Sequence, residues 1–153
     1  MAEVYLSLGS NQGDRREHLQ AALDLLAAEP EVEIIKVSSR YESEPWGLTE
    51  QPDFYNAVVQ IRTTLSPFCL LDVCQRIEKQ RQRVRTVRWG PRTLDIDILT
   101  YDELQQDTPR LTLPHPRMQE RNFVIVPLAE IKSGTRLECP GVRLISRTWY
   151  STS

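Results

Sequence analysis

The run Leu94-Asp95-Ile96-Asp97-Ile98 admits one regular backbone. Apolar and acidic residues alternate with a period of two. A strand separates them onto opposite faces, whereas a helix would mix them around its circumference. Leu94, Ile96 and Ile98 therefore enter a core, and both carboxylates leave it together on the other face. The chain must build a sheet, and residues 94–101 must lie in it. Alternation and β-rich composition also predict strands over 3–8, 32–41 and 54–63. Two helical patterns interleave with them. Leu19, Leu23 and Leu26 share a face over 15–28, after an N-cap candidate at Asp14 and before Pro30. Ser66-Pro67 is a capping serine followed by proline at the first helical position. Leu70, Val73, Cys74 and Ile77 carry that helix to about residue 82.

The order β-α-β-β-α-β predicts an α+β fold. Its core is ferredoxin-like, an antiparallel sheet with helices packed on it, in a single domain over residues 1–153. A turn cluster at Gly9-Ser10-Asn11-Gln12-Gly13 joins the first strand to the first helix; it lacks the lysine of a phosphate loop. Two connections, 42–53 and 83–93, exceed the usual length, and long loops in compact domains often carry function. Farther on come a hairpin or loop at 102–112, one helical turn at 117–121, a short helix or strand at 123–131, and a weakly patterned tail beyond 133.

Charge narrows the function. The net charge of −2 argues against a surface built for nucleic acid or an anionic membrane. Yet Arg76, Lys79, Arg81, Arg83, Arg85, Arg88 and Arg92 crowd one stretch opposed only by Glu78, as suits an anionic ligand. No signal peptide or apolar run of spanning length is present. Cys69, Cys74 and Cys139 have no metal-ligand spacing, which points to reduced thiols and a cytoplasmic protein.

A bare pair such as Asp95 and Asp97 is either the wet face of a half-buried strand or a site for a hard cation such as Mg2+. The arginines leading into the strand favour the second reading, because metal and guanidinium together clamp a polyphosphate. Among them Trp89 either stacks on a ligand or anchors the loop. Phe54 and Asn56 share a strand face and offer a ring and a hydrogen-bonding amide to a flat heterocycle. Phe123 is a second candidate ring. His115 either bonds phosphate or ribose oxygens or stiffens the turn between Pro114 and Pro116. A nucleic-acid module on the same topology would use the arginines and aromatics, but paired aspartates would repel a phosphate backbone.

These residues resemble a known family. Arg88-Trp89-Gly90-Pro91-Arg92-Thr93-Leu94-Asp95-Ile96-Asp97-Ile98-Leu99 is similar to the signature of the 6-hydroxymethyl-7,8-dihydropterin pyrophosphokinases of folate biosynthesis. Leu8-Gly9-Ser10-Asn11, residues 39–47, Gln51 to Asn56, Pro114-His115-Pro116 and Glu120 to Phe123 match in the same order. The resemblance implies a three-layer α-β-α arrangement. It also implies a diphosphotransferase that moves pyrophosphate from ATP to the pterin hydroxymethyl group and releases AMP. Asp95 and Asp97 would hold two Mg2+ ions, with Arg83 and Arg92 nearest the chemistry. Gln75, Glu78, Arg85, Trp89, Arg92, Ile98, Arg110, Thr112, His115, Pro116 and Arg121 would shape the ATP site. Ser43, Glu44, Trp46, Phe54, Asn56 and Phe123 would receive the pterin. The implied partners are these small molecules alone, bound by a monomer. Ser43 stands where many members carry threonine, and Arg143 to Ser153 lack the final helix expected of the family.

Overall fold

The computed structural model describes residues 1–45, 50–81 and 93–150. Its strands are β1 (Ala2–Ser10), β2 (Val32–Val37), β3 (Arg40–Ser43), β4 (Phe54–Thr63), β5 (Asp95–Tyr101), β6 (Gln106–Asp107), β7 (Thr112–Leu113) and β8 (Val142–Ser146). Its helices are α1 (Arg15–Ala27), α2 (Pro67–Gln80) and α3 (Asn122–Ser133), with a 3-10 turn at Met118–Glu120. The main sheet runs β5-β1-β4-β3-β8, and β2 pairs with β4 beside β3. The pairs β1–β4, β1–β5, β2–β4, β3–β4 and β3–β8 are all antiparallel. β1 lies between β4 and β5, and β4 lies between β1 and β2, so each β-α-β unit is split by a strand of the other.

Local chemistry starts the helices where the sequence predicts. The Asp14 carboxylate accepts the Glu17 N–H at 3.1 Å, and Ser66 Oγ accepts the Cys69 N–H at 3.3 Å. Two apolar clusters then fix three layers. On one face Val4, Leu6, Leu8, Ile96 and Ile98 pack against Leu19, Leu23 and Leu26 of α1 and Leu70 and Ile77 of α2. Each such fully buried leucine contributes about 1.5–3 kcal/mol over leaving it in water. On the other face Val58 and Leu99 meet Met118, Val124, Leu128 and Ile131 beneath α3. Among the described residues, no helix is long and apolar enough to cross a membrane.

Three expectations change, and one left open is settled. β1 continues through Gly9 and Ser10, which were assigned to a turn by composition. The 123–131 segment is helix, ended by Gly134 in the left-handed region (φ 68°), whose N–H bonds the Glu130 carbonyl at 3.0 Å. The weakly patterned tail supplies β8, which pairs with β3. The single strand expected over 32–41 breaks at Ser38-Ser39, where side-chain bonds supplement one backbone bond, from the Ser38 N–H to the Val58 carbonyl at 2.9 Å. Ser38 Oγ accepts the Val58 N–H at 2.9 Å, and Trp149 Nε1 donates to the Ser38 carbonyl at 3.0 Å.

The same break locks α3 to the sheet. Glu130 accepts the Ser39 N–H at 3.0 Å, the Ser39 hydroxyl at 2.9 Å and the Tyr41 hydroxyl. Burial, then the adjacent carboxylate, pushes the Tyr41 phenol well up, so it stays a donor. Glu130→Ala would strand the buried Tyr41 hydroxyl. It is expected to lower the unfolding free energy by about 2–4 kcal/mol in urea titration, with Glu130→Gln losing less.

Candidate active site

The register of β1 assembles the site. Gly9 pairs with Asn56 on one side and Asp95 on the other, and Asn56 pairs with Tyr41. Directly opposed residues share a face, so Asp95, Gly9, Asn56 and Tyr41 form one row across four strands on the α3 side. The next row carries Asp97, Ser7 and Val58. Both aspartates thus leave the sheet on the face opposite Ile96 and Ile98, as the alternation requires, and both are partly exposed.

Gly9 is what keeps this row open. A Cβ there would sit 3.5 Å from Asn56 Oδ1 and 3.6 Å from Phe54 Cδ1. Without it, bare backbone separates the amide from the acid across two strand spacings, about 10 Å. Asn56 is buried and held. Its Nδ2 donates to Ser43 Oγ at 2.6 Å and to the Phe54 carbonyl at 3.4 Å. Ser43 pairs directly with Phe54, so the hydroxyl and the ring border the same floor. Phe123, in the first turn of α3, packs on the cluster containing Val58, with the Arg121 guanidinium 5.7 Å from its ring centre.

A second lobe opens beyond β5. Ile98, Asp97, Arg110, Thr112, His115 and Pro116 line a cavity of about 230 Å³. The His115 N–H donates to the Leu99 carbonyl at 2.8 Å, fixing the Pro-flanked turn to the strand edge. Asp97 joins the two lobes, and Arg121 Nη1 lies 3.9 Å from its Oδ2. Arg110 stands at the outer rim, paired with Asp72 of α2.

Other expected residues lie apart. Gln75 is exposed on α2. Glu78 is buried between α2 and β5, where its Oε2 accepts the Ile96 N–H at 2.8 Å. Glu44 is exposed beyond β3. Trp46, Arg83, Arg85, Trp89 and Arg92 lie outside the described residues. Sequence reasoning missed Gly9 as the floor, because its role depends on which strands flank it. It also missed Glu130, a helix-face acid whose partners are Tyr41 of β3 and Ser39 just before that strand.

A model of the 7,8-dihydro-6-hydroxymethylpterin-pyrophosphokinase (HPPK) family matches residues 5–133. The chain belongs to the HPPK family. It is 49% identical over 134 residues to 2-amino-4-hydroxy-6-hydroxymethyldihydropteridine pyrophosphokinase of Pseudomonas aeruginosa, covering 88% of this chain and 83% of that one. It is 50% identical over 128 residues to the enzyme of the same name from Bacillus subtilis, covering 84% and 77%. A crystal structure of Plasmodium falciparum HPPK-DHPS superposes with a TM-score of 0.64 at 16% identity, over 86% of this chain and 40% of that chain. That likeness bears on the fold alone. It agrees with the mixed helical and antiparallel architecture of an HPPK.

His115 offers a direct probe of the second lobe. Burial lowers its pKa; the Asp97 charge opposes this, and Arg121 and Arg117 add to it. The Arg117 N–H donates to its Nδ1 at 3.2 Å, so the neutral ring carries its hydrogen on Nε2. An NMR titration should place its midpoint below the ordinary histidine value, and Arg121→Ala should move it back up.

Proposed function

We propose that this HPPK transfers the pyrophosphoryl group of ATP to the hydroxymethyl oxygen of 6-hydroxymethyl-7,8-dihydropterin, in folate biosynthesis. The observation that carries the reading is the single row from Asp95 through Gly9 to Asn56, an acid and an amide facing each other across bare backbone. The flat pterin sits above that floor with an edge toward it. Asn56, oriented by Ser43, reads its edge, and Phe54 and Phe123 cover its faces. ATP occupies the lobe beyond β5, with His115 and Arg121 toward its phosphates and Ile98 against the base or ribose.

Asp95 and Asp97 fit a magnesium site. Two partly exposed carboxylates on one face give hard oxygen donors. No group of three or more histidine, cysteine or acidic side chains gathers among the described residues, so substrate phosphates and water would complete the shell. Asp95 and Asp97 would hold two Mg2+ ions. When bound, the ions neutralise charge along the polyphosphate.

The reaction forms a bond between the hydroxymethyl oxygen and the β-phosphorus. It breaks the bridge from that phosphorus to the α-phosphate, and AMP leaves with the electron pair. The hydroxyl proton is lost to Asp95 or Asp97 on the same face or to water, and no dedicated general base is assigned. The protein's share is positioning: a clamped amide, a bare floor and a fixed turn hold both reactants in line. Arg83 and Arg92 are assigned to phosphate charge on the family resemblance.

Purified protein with Mg-ATP and the pterin should yield AMP. Formation of ADP, or hydrolysis independent of pterin, would count against the reading. Asp95→Asn and Asp97→Asn should each cut turnover by about a thousandfold, ~4 kcal/mol of transition-state stabilisation. Gly9→Ala tests the floor. Its Cβ meets only ordinary contact distances, so the melting temperature should hold. The pterin Kd should nevertheless rise about tenfold, as expected when a methyl group occupies ligand space.

A further inference from the structure

We propose that Arg15 is a positioning residue for the pterin pocket, acting from the opposite face of the sheet. The inference rests on the assignment of Phe54 and Asn56 to the pterin. Among the described residues β3 and β4 meet through three pairs: Tyr41 with Asn56, Glu42 with Tyr55, and Ser43 with Phe54. Taken alone, so short a ladder holds its register weakly, and a slip of one residue would turn every side chain to the other face; the Ser38–Val58 bonds and Glu130 fix its start, which leaves the Ser43–Phe54 end to other fasteners. The outer pairs carry the site. The middle pair faces α1, where Tyr55 packs on the larger core cluster.

Arg15 fastens that middle pair. It is the first residue of α1. Its Nη1 donates to Glu42 Oε2 on β3 at 2.8 Å and to the Asp53 carbonyl, just before β4, at 2.9 Å. Its guanidinium lies 3.7 Å from the centre of the Tyr55 ring. One side chain thus ties both strands at the register that sets Ser43 under Asn56 and turns Phe54 to the floor. Arg143 of β8 pairs with the other oxygen of Glu42. Burial raises the Glu42 pKa, but hydrogen bonds from Arg15 and Arg143 outweigh it and hold the carboxyl below its ordinary value. The segment before β4 is fixed from the same side. Asn11 Nδ2 donates to Gln51 Oε1 at 2.8 Å and to the Pro52 carbonyl at 2.9 Å. An isolated surface ion pair would matter little. Arg15 differs in having a carboxylate, a carbonyl and a ring as simultaneous partners.

The test compares Arg15→Met, Arg15→Lys and Asn56→Ala with the parent. Isothermal titration gives the Kd of 6-hydroxymethylpterin in the presence of Mg2+ and α,β-methylene-ATP, and the Kd of the nucleotide alone. Arg15→Met should weaken the pterin about tenfold with less than about a twofold change for nucleotide, and Arg15→Lys should recover part of the loss. Combined with Asn56→Ala, Arg15→Met should add little, since both act on one contact. An unchanged pterin Kd in Arg15→Met, or equal weakening of both ligands, overturns the role of Arg15 when Asn56→Ala does weaken the pterin. A parental pterin Kd in Asn56→Ala overturns the ring site and this role with it. Should Arg15→Met fail to fold, Arg15→Lys carries the same comparison, with a smaller loss expected and none overturning.

Discussion

Everything at the site depends on the double pairing of β1. Gly9 brings no side chain to the site; it simply occupies the position between Asn56 and Asp95. Because strand spacing is set by backbone hydrogen bonds, the separation of amide and acid is fixed by peptide geometry. Side-chain packing then decides only which face they occupy. The apolar residues Leu6, Leu8, Ile96 and Ile98 settle that by entering the core beneath α1 and α2. A slip in either ladder of β1 would therefore cost the core and the site together, which makes the geometry robust.

The two faces divide the work. On the α1 side the core is continuous, and polar groups near its edge, such as Arg15 and Glu42, act as fasteners. On the α3 side the apolar cluster is small and stops at Val58, Leu99 and Phe123. A thin cluster leaves room for ligands but holds its helix less firmly. The Glu130 bonds to Ser39 and Tyr41 offset that weakness, at the far end of α3 from Phe123. Polar locking of α3 and an open floor beside it are two parts of one compromise.

Local rules made much of this legible. Asp14 and Ser66 start helices because their side chains cap the adjacent amides, and the alternation in β5 sorts acids from core. What stayed hidden is long-range. Composition assigns Gly9-Ser10 to a turn, yet pairing on both sides extends β1 through them. Ser38 and Ser39 look like strand, but the Ser38 hydroxyl takes the Val58 N–H in place of a ladder carbonyl, and the Ser39 hydroxyl turns to Glu130 of α3. The Val142–Ser146 segment has too little periodicity to declare itself, and becomes a strand because β3 leaves an edge to pair with. In the site, acids and aromatics announce themselves by type. Gly9, Arg15 and Glu130 do not, because each acts through a neighbour supplied by another part of the chain.

That difference has a physical origin. A residue that touches substrate must carry a particular functional group, so its identity constrains its chemistry and can be read alone. A residue that sets distance or register needs only the right reach and the right neighbours. Arginine at position 15 could be any solvated helix-start cation until Glu42, Tyr55 and Asp53 are placed around it. In line catalysis by positioning, small displacements of bound reactants cost as much as lost contacts. A direct pyrophosphoryl transfer of the kind proposed above, with no covalent intermediate on the protein, therefore places unusual weight on such residues. The sheet register that separates Asn56 from Asp95, more than any single side chain, is the part of this protein that has to be right.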